Sequence, residues 1–429
     1  MNIQKPAFGE FSGCVLLMLI SGLLPLLNLE GLDFPAALSI GYGVLLVLMR
    51  DAHVKTLNPA LTLVDLFRGQ QETGAGLMII LSQFAGAAVG AFLLAALTGG
   101  SQPVFPAAAA APAGQLTVVQ LVFGAALVFA YIRGNEGSKY EGPWLGALMY
   151  GSFAIGGEAT AFLNPAVALG ANACRGISGA STEEAAFAAV VFTPLLAAGI
   201  AFLLDRLSEQ HLQTSEFVGT FFLSFGLLAA AGKGTAAAPA ALGLAFYSAA
   251  IVRMAAPVSG GALNPAVTGG ALLSEGRSIS KDVATVWLFQ LCGAAAAAVL
   301  LSRIATAVAA PPAAAALTSG DVHTLLLSLA VSSLLMIAYC TNFGDFFGSP
   351  AAAFIGAVYG LSMLGPYQGA PLAINPAVSL AAAAAAALSG QAATLNLLET
   401  AAQASVPFVG CMCGATLLRL IPSEYKRRL

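Results

Sequence analysis

Four copies of the tripeptide Asn-Pro-Ala set the architecture that this 429-residue chain can adopt. Successive copies are 106, 100 and 111 residues apart, so alternate copies are separated by 206 and 211 residues. A fixed repeat period is the sequence signature of duplicated structural units. The chain is therefore predicted to hold two units of about 210 residues, each internally duplicated, with the tripeptides Asn58-Pro59-Ala60, Asn164-Pro165-Ala166, Asn264-Pro265-Ala266 and Asn375-Pro376-Ala377.

Other residues recur at nearly the same step, which supports the duplication independently of the tripeptides. Agreement at this many positions is not expected by chance. The matched pairs are Glu10 and Glu216, Gln83 and Gln290, Tyr131 and Tyr339, and Pro194 and Pro407.

Composition identifies the class of protein. Hydrophobic residues make up 58% of the chain and charged residues only 9%, and the formal net charge is -3. Soluble domains carry roughly 25% charged residues, and nucleic-acid binders need a basic surface. The composition excludes a soluble enzyme, a secreted disulfide scaffold and a nucleic-acid partner, and predicts a polytopic membrane protein. The six cysteines are interpreted as small buried side chains, with no metal site and no cofactor.

Apolar runs predict six membrane spans in each unit, twelve in all. The predicted organisation is unit 1 at residues 1–204, a linker at 205–215 and unit 2 at 216–429. An even number of spans gives both units the same orientation. Lys and Arg concentrate in the termini, the linker and the connections on that side, so the positive-inside rule predicts cytoplasmic termini. The sequence does not distinguish the plasma membrane from an intracellular membrane.

Each Asn-Pro-Ala opens an apolar stretch that is too short to cross a bilayer. Asn favours the N-cap of a helix and Pro suits its first turn, so each tripeptide is predicted to begin a half-helix with a partially positive N-terminus. Non-spanning segments are tolerated in a membrane only where they are buried or line a cavity. Two half-helices per unit are therefore predicted to meet near the midplane, at a site suited to a water-sized neutral molecule.

With these residues in view, the chain resembles the aquaporin (major intrinsic protein) family, twice in tandem. The stretches that carry the resemblance are EFVGTFFLSFG from Glu216, SGGALNPAVT from Ser259 and QFAGAAVGA from Gln83. The resemblance implies an all-α polytopic fold with two copies of six transmembrane helices plus two re-entrant half-helices. It also implies passive transport of water or small neutral solutes, and a homodimer that brings four pores together.

The resemblance also implies a selectivity filter beside each Asn pair, and there this chain departs from the family. The family's filter arginine follows the second Asn-Pro-Ala, where this chain has Val167 and Val378. The remaining filter positions are expected at Ile40, at Ser152 or Phe153, and at Ala161 in unit 1, and at Phe246, Met363 and Leu372 in unit 2. The second ring is bulky and wholly apolar, which predicts that unit 2 conducts poorly.

The family holds its re-entrant loops with glutamates in the first and fourth spans of each unit. Glu10 and Glu216 match the first position, with interfacial carboxylates as the alternative interpretation. Gln120 and Ser328 occupy the second position and are expected to bind the loops more weakly. Two functions stay open at this point: a passive channel, and a non-conducting structural subunit of a membrane assembly. An enzyme is not expected.

Overall fold

The computed structural model describes residues 4–29, 32–99, 113–134, 140–177, 184–231, 237–304, 322–341, 350–364, 372–388 and 397–420. The chain forms two compact units, Met1–Asp205 and Arg206–Leu429. Within the predicted linker, one helix continues to Ser208 and the next begins at Leu212, so only residues 209–211 lie between helices.

Unit 1 contains eight helices in its described part. Two of them, α3 and α7, begin at the prolines of the Asn-Pro-Ala tripeptides. The helices are α1 (Gln4–Leu23), α2 (Phe34–Leu48), α3 (Pro59–Phe67), α4 (Thr73–Leu97), α5 (Ala113–Ile132), α6 (Glu141–Gly156), α7 (Pro165–Ile177) and α8 (Glu184–Ser208).

Unit 2 repeats this order of long and short helices in the ranges that the structure describes. Its two half-helices, α11 and α15, again begin at prolines of the tripeptides. The helices are α9 (Leu212–Ala231), α10 (Ala237–Ser259), α11 (Pro265–Ser274), α12 (Lys281–Arg303), α13 (Val322–Cys340), α14 (Pro350–Ser362), α15 (Pro376–Leu388) and α16 (Leu397–Leu417).

Each of the twelve predicted spans corresponds to a helix, but the helices differ in length. Within the described residues, nine are long and apolar enough to cross a membrane. The other three, α2, α6 and α14, have 15, 16 and 13 residues. At 1.5 Å per residue they are shorter than a hydrocarbon core of about 30 Å.

Small residues allow the long helices to pack closely. A Cβ added at Gly86 of α4 would collide with the carbonyl oxygen of Phe11 in α1. The repeat has the same contact, since a Cβ at Gly293 of α12 would collide with the carbonyl oxygen of Phe217 in α9. Close backbone approach through small residues is typical of helix packing in membranes. These contacts place Glu10 and Glu216, which precede the two phenylalanines, between helices in each unit.

Large apolar side chains lie on the outside of the units. Leu81 is 68% exposed, Phe92 64% and Leu196 62%, whereas many polar side chains, among them Asn58 and Gln83, are fully buried. Soluble monomers rarely expose apolar surface on this scale. The arrangement suits a protein whose surroundings are lipid and whose polar side chains lie inside.

Candidate functional site

The asparagines of the tripeptides cap the half-helices as their sequence predicts. Asn58 Oδ1 accepts a hydrogen bond from the Ala60 amide at 2.9 Å, and Asn264 Oδ1 accepts one from Ala266 at 2.9 Å. Asn164 and Asn375 cap α7 and α15 in the same way. An N-cap satisfies one of the unpaired amides at a helix start and leaves the other amides, with their partial positive charge, directed outward.

The two asparagines of unit 1 also bind each other's loops. Asn58 Nδ2 donates to the carbonyl oxygen of Leu163 at 3.3 Å, and Asn164 Nδ2 donates to that of Leu57 at 2.7 Å. Each carbonyl belongs to the residue immediately before the other asparagine. The reciprocal bonds hold the N-terminal ends of α3 and α7 against each other.

Unit 2 contains the same reciprocal pair. Asn264 Nδ2 donates to the carbonyl oxygen of Ile374 at 2.9 Å, and Asn375 Nδ2 donates to that of Leu263 at 3.0 Å. Two half-helices therefore face each other in both units. All four asparagines are at most 3% exposed, so the facing helix ends lie away from bulk water and their charge is screened less than on a protein surface.

The residue before the first asparagine of each unit adopts an unusual backbone conformation. Leu57 and Leu263 both have φ of 49°, in the left-handed region that non-glycine residues rarely occupy. Such conformations cost on the order of 1–3 kcal/mol and persist where the surroundings impose them. Here the surroundings are the carboxylates of Glu10 and Glu216, which accept from the amides of Leu57 at 2.7 Å and Leu263 at 2.9 Å.

Glu10 holds the whole loop that precedes Asn58. Its Oε1 accepts from the amides of Lys55 at 2.6 Å and Thr56 at 2.8 Å, and its Oε2 accepts from Leu57 and from Gln83 Nε2 at 2.8 Å. The side chain is 1% exposed. These contacts favour the loop-holding interpretation of Glu10 over that of an interfacial carboxylate.

Glu216 holds the equivalent loop with fewer bonds. Its Oε2 accepts from the Leu263 amide and from Gln290 Nε2 at 2.6 Å, while its Oε1 accepts no close hydrogen bond. Ser259 and Ala262 also interact with the carboxylate. Gln290 Nε2 also donates to Thr268 Oγ1 of α11 at 2.9 Å. The loop of unit 2 thus makes fewer close hydrogen bonds to its glutamate than that of unit 1.

Gln83 and Gln290 are structural residues of the site that sequence reasoning did not assign. Each lies on the helix that follows the first half-helix and links the buttressing glutamate to a threonine on that half-helix. Gln83 Nε2 reaches Thr62 Oγ1 at 3.0 Å, as Gln290 reaches Thr268. The sequence does mark the two glutamines, because they recur at the repeat step. Recurrence alone, however, does not predict which residues a side chain contacts.

Gln120 and Ser328 do not hold the loops in the way expected. Both polar atoms of Gln120 and the hydroxyl of Ser328 are buried without a hydrogen-bond partner. In unit 1 the second loop is tied instead through Thr160, whose hydroxyl donates to the carbonyl oxygen of Ser152 at 2.9 Å.

Most of the candidate filter residues of unit 1 lie buried near the second loop. Ser152, Ala161 and Val167 are at most 3% exposed, and Phe153 is half-buried. Ile40 is 53% exposed and is not brought into this buried set. Val44, Val47 and Leu48 lie on the same exposed face of α2, whereas Leu38, two residues before Ile40, is 2% exposed.

The candidate filter residues of unit 2 also divide into buried and exposed side chains. Met363 and Leu372 are 1% and 7% exposed, and the Leu372 amide donates to the carbonyl oxygen of Ser362 at 2.8 Å. Val378 is half-buried. Phe246 is 38% exposed, whereas Leu244 is fully buried on another face of α10.

A tyrosine that was not among the sequence candidates contacts the Asn pair of unit 2. The hydroxyl of Tyr359, on α14, lies 3.4 Å from Asn264 Nδ2 and also interacts with the side chain of Asn375. Tyr359 is 1% exposed. The sequence offered no direct signal for it, because one aromatic residue in an apolar span is common.

Unit 1 has a polar cluster at the far end of α3 from Asn58. Asp65 is 2% exposed; it accepts a hydrogen bond from the Tyr131 hydroxyl at 2.8 Å and pairs with Lys55 Nζ at 3.1 Å. Arg133 Nε donates to Asp205 Oδ1 at 2.5 Å in a second ion pair, which is largely buried. Within the described ranges, no group of three or more His, Cys, Asp and Glu side chains is placed to hold a metal ion.

Known proteins of one family are similar to this chain. A family profile described as "Major intrinsic protein" matches residues 204–421. "Probable aquaporin TIP3-1" of Oryza sativa subsp. japonica is 36% identical over 126 residues, which are 28% of this chain and 47% of that protein. "Aquaporin Z" of Brucella melitensis biotype 1 is 40% identical over 116 residues, or 24% of this chain and 46% of that protein.

The chain thus spans about half the length of the curated relatives that it matches. Among solved structures, the aquaglyceroporin from Plasmodium falciparum aligns over 49% of this chain and 96% of its own, with 19% identity and a TM-score of 0.38.

Proposed function

Because the chain belongs to the major intrinsic protein family, we propose that it is a passive membrane channel for water or small neutral solutes, with one conduction path in each unit. The observation that carries the proposal is the pair of facing half-helices in each unit. Their N-termini are joined by reciprocal bonds, in which each asparagine amide donates to the backbone carbonyl oxygen that precedes the other asparagine of its unit.

The chemistry of this arrangement favours neutral solutes over cations. Each facing helix end carries a partial charge of roughly +0.5, and an amide hydrogen of Asn can donate to a passing oxygen atom. A cation or proton meets two positive ends, whereas water or a small polyol meets donors that match its acceptors. Exclusion of protons and cations by half-helix dipoles is already known for aquaporins, so the family and the geometry support one conclusion.

Valine in place of the filter arginine makes the proposed filters apolar. In unit 1 the proposed path passes Ser152 or Phe153, Ala161 and Val167, and α2 contributes a buried residue, Leu38, in place of the exposed Ile40. Without arginine the filter has no fixed positive charge and no planar donor group. Small residues such as Ala161 leave room for a solute larger than water, so glycerol and urea belong in the assay beside water.

The two units are proposed to differ in conductance. Unit 2 combines Met363, Leu372 and Val378, and apolar constrictions of this kind can close by dewetting. We further propose that both termini are cytoplasmic and that two copies of the chain associate, so that four units lie together in the bilayer. The charge distribution of the connections supports the orientation.

The decisive experiment is stopped-flow light scattering of proteoliposomes, measuring water, glycerol and urea flux under osmotic gradients. The variant N58D/N164D keeps a side-chain oxygen for each helix cap but removes both amide donors, and N264D/N375D is its matched control in unit 2. We expect the unit 1 variant to lose most of the flux and the unit 2 variant to retain most of it.

The converse pattern would contradict the assignment of unit 1 as the better path. Flux from the folded wild-type protein that does not exceed empty liposomes would refute the channel proposal. That result would favour the second candidate function, a structural subunit of a membrane assembly, for which the apolar ring of unit 2 is the supporting observation.

A further inference from the structure

The amide of Asn264 differs from the amides of the unit 1 tripeptides in how many bonds it makes. An Asn side chain has two N–H donors. Asn264 Nδ2 donates to the carbonyl oxygen of Ile374 at 2.9 Å and lies 3.4 Å from the hydroxyl of Tyr359. Both of its donors are therefore engaged within the protein.

Unit 1 provides the comparison. Asn58 Nδ2 and Asn164 Nδ2 each make one hydrogen bond among the described residues, to a backbone carbonyl of the opposite loop. One hydrogen of each amide is thus left for another acceptor. The Asn pair of unit 1 can bind a solute oxygen atom, whereas in unit 2 the oxygen of Tyr359 already takes that role.

The residue that corresponds to Tyr359 in unit 1 is Met149. A Cβ at Gly146 of α6 would collide with the backbone of Ser39, and one at Gly356 of α14 would collide with that of Ala245. Ser39 and Ala245 are related by the repeat step of 206 residues, so Gly146 and Gly356 occupy equivalent positions.

Three residues beyond each of these glycines stand Met149 and Tyr359. Met149 is 4% exposed, so both side chains are buried within their own units. A thioether is a flexible apolar group and a weak acceptor, whereas a phenol carries a rigid ring and a hydroxyl that both donates and accepts. Unit 1 therefore has a flexible side chain at this position, whereas unit 2 has a side chain that is held in place by a polar contact.

We propose that Tyr359 closes the path of unit 2 by occupying the solute position at its Asn pair; this inference rests on the proposed function. The phenol hydroxyl binds Asn264 and interacts with Asn375, as a water molecule or polyol oxygen would. A solute can pass only if it displaces this ring and breaks its contact with Asn264. Tyr359 is thereby the residue that distinguishes the two paths.

The test is a reciprocal exchange measured in proteoliposomes by stopped-flow light scattering. Y359M places the residue of unit 1 in unit 2, and M149Y does the reverse. We expect M149Y to remove most of the flux, and Y359M added to M149Y to restore it. In the wild-type background Y359M should raise the flux about twofold, as expected when a second equal path opens in parallel with the first.

Y359F separates the hydroxyl from the ring. It frees the second amide hydrogen of Asn264 but retains most of the side-chain volume, so its flux should lie between that of wild type and Y359M. Unfolding of unit 2 is monitored by its single tryptophan, Trp287. A well-folded Y359M/M149Y protein with no more flux than M149Y would overturn the inference while the channel proposal stands.

A result in which neither wild type nor Y359M conducts would overturn both proposals together. Wild-type protein that does not conduct while Y359M does would support the closure by Tyr359 and would contradict the assignment of unit 1 as an open path. The two proposals therefore fail in distinguishable ways.

Discussion

Replacing Glu10 with Gln tests how the buttress holds the first half-helix. The carboxylate accepts four N–H donors, two on each oxygen, at 2.6–2.8 Å. Glutamine has only one accepting oxygen, so two of these donors would face an NH₂ group. Hydrogen bonds to charged groups contribute about 1.5–3 kcal/mol each, so we expect E10Q to lower the free energy of unfolding of unit 1 by about 3–6 kcal/mol.

Glu216 supplies a matched control within the same chain. Its two close hydrogen bonds, from Leu263 and Gln290, fall on Oε2, so the oxygen of a glutamine can retain them. The NH₂ group then occupies the place of Oε1, which accepts no close hydrogen bond. E216Q loses only the charge-assisted part of two bonds, which corresponds to about 1–2 kcal/mol.

Each unit carries its own fluorescent reporter for this comparison. The chain has two tryptophans, Trp144 on α6 of unit 1 and Trp287 on α12 of unit 2. Unfolding by increasing dodecyl sulfate in detergent micelles, followed by fluorescence in W287F or W144F backgrounds, reports one unit at a time. We expect E10Q to destabilise its unit more than E216Q does, because Glu10 accepts hydrogen bonds on both oxygens and Glu216 accepts its close ones on Oε2. Equal destabilisation by the two variants, each in its own unit, would refute this expectation.

Two further predictions use the same fluorescence assay. Arg133→Ala removes a largely buried, charge-assisted hydrogen bond to Asp205 and should destabilise unit 1 by about 1.5–3 kcal/mol, whereas Arg277→Ala removes an exposed ion pair and should cost less than about 1 kcal/mol in unit 2. Gly86→Ala forces a Cβ into the backbone of α1 and should destabilise unit 1 by about 1–3 kcal/mol. In its control, Gly114→Ala, the added Cβ meets no atom within 4 Å, so this variant should stabilise unit 1 by up to about 1 kcal/mol. Equal changes in unfolding free energy for the two arginine variants, or for the two glycine variants, would contradict the packing described.

The buttress shows how far sequence reasoning reached in the site. The match of Glu10 and Glu216 to a recurring motif predicted that they hold the loops, and the structure gives each of them bonds to loop amides. Gln120 was assigned the same role by position in the fourth span and makes no such bond. Gln83 joins the buttress instead, because α4 packs against α1 at Gly86 and brings its glutamine beside the glutamate.

The filter positions show more clearly where prediction from the sequence fails. The family resemblance predicts Ile40 and Phe246 at the filter, and both are exposed, whereas Leu38 and Leu244 are buried. A shift of two residues rotates a side chain by about 200° around a helix, so it moves from one face to the opposite one. Most residues of α2 and α10 are apolar, so hydropathy alone does not distinguish the inward face from the lipid-facing one, although the buried Ser39, Tyr42, Tyr247 and Ser248 lie on the inward face.

The sequence by itself determined the duplication, the order of long helices and the starts of the four half-helices. These properties depend on local signals: the hydropathy of a span and the capping preference of Asn followed by Pro. Only the tertiary structure decided which buried side chains meet at each Asn pair. The contact of Tyr359 with Asn264, and Met149 at the equivalent position of unit 1, depend on how α6 and α14 are rotated by their glycine contacts with α2 and α10, which act between residues far apart in the chain.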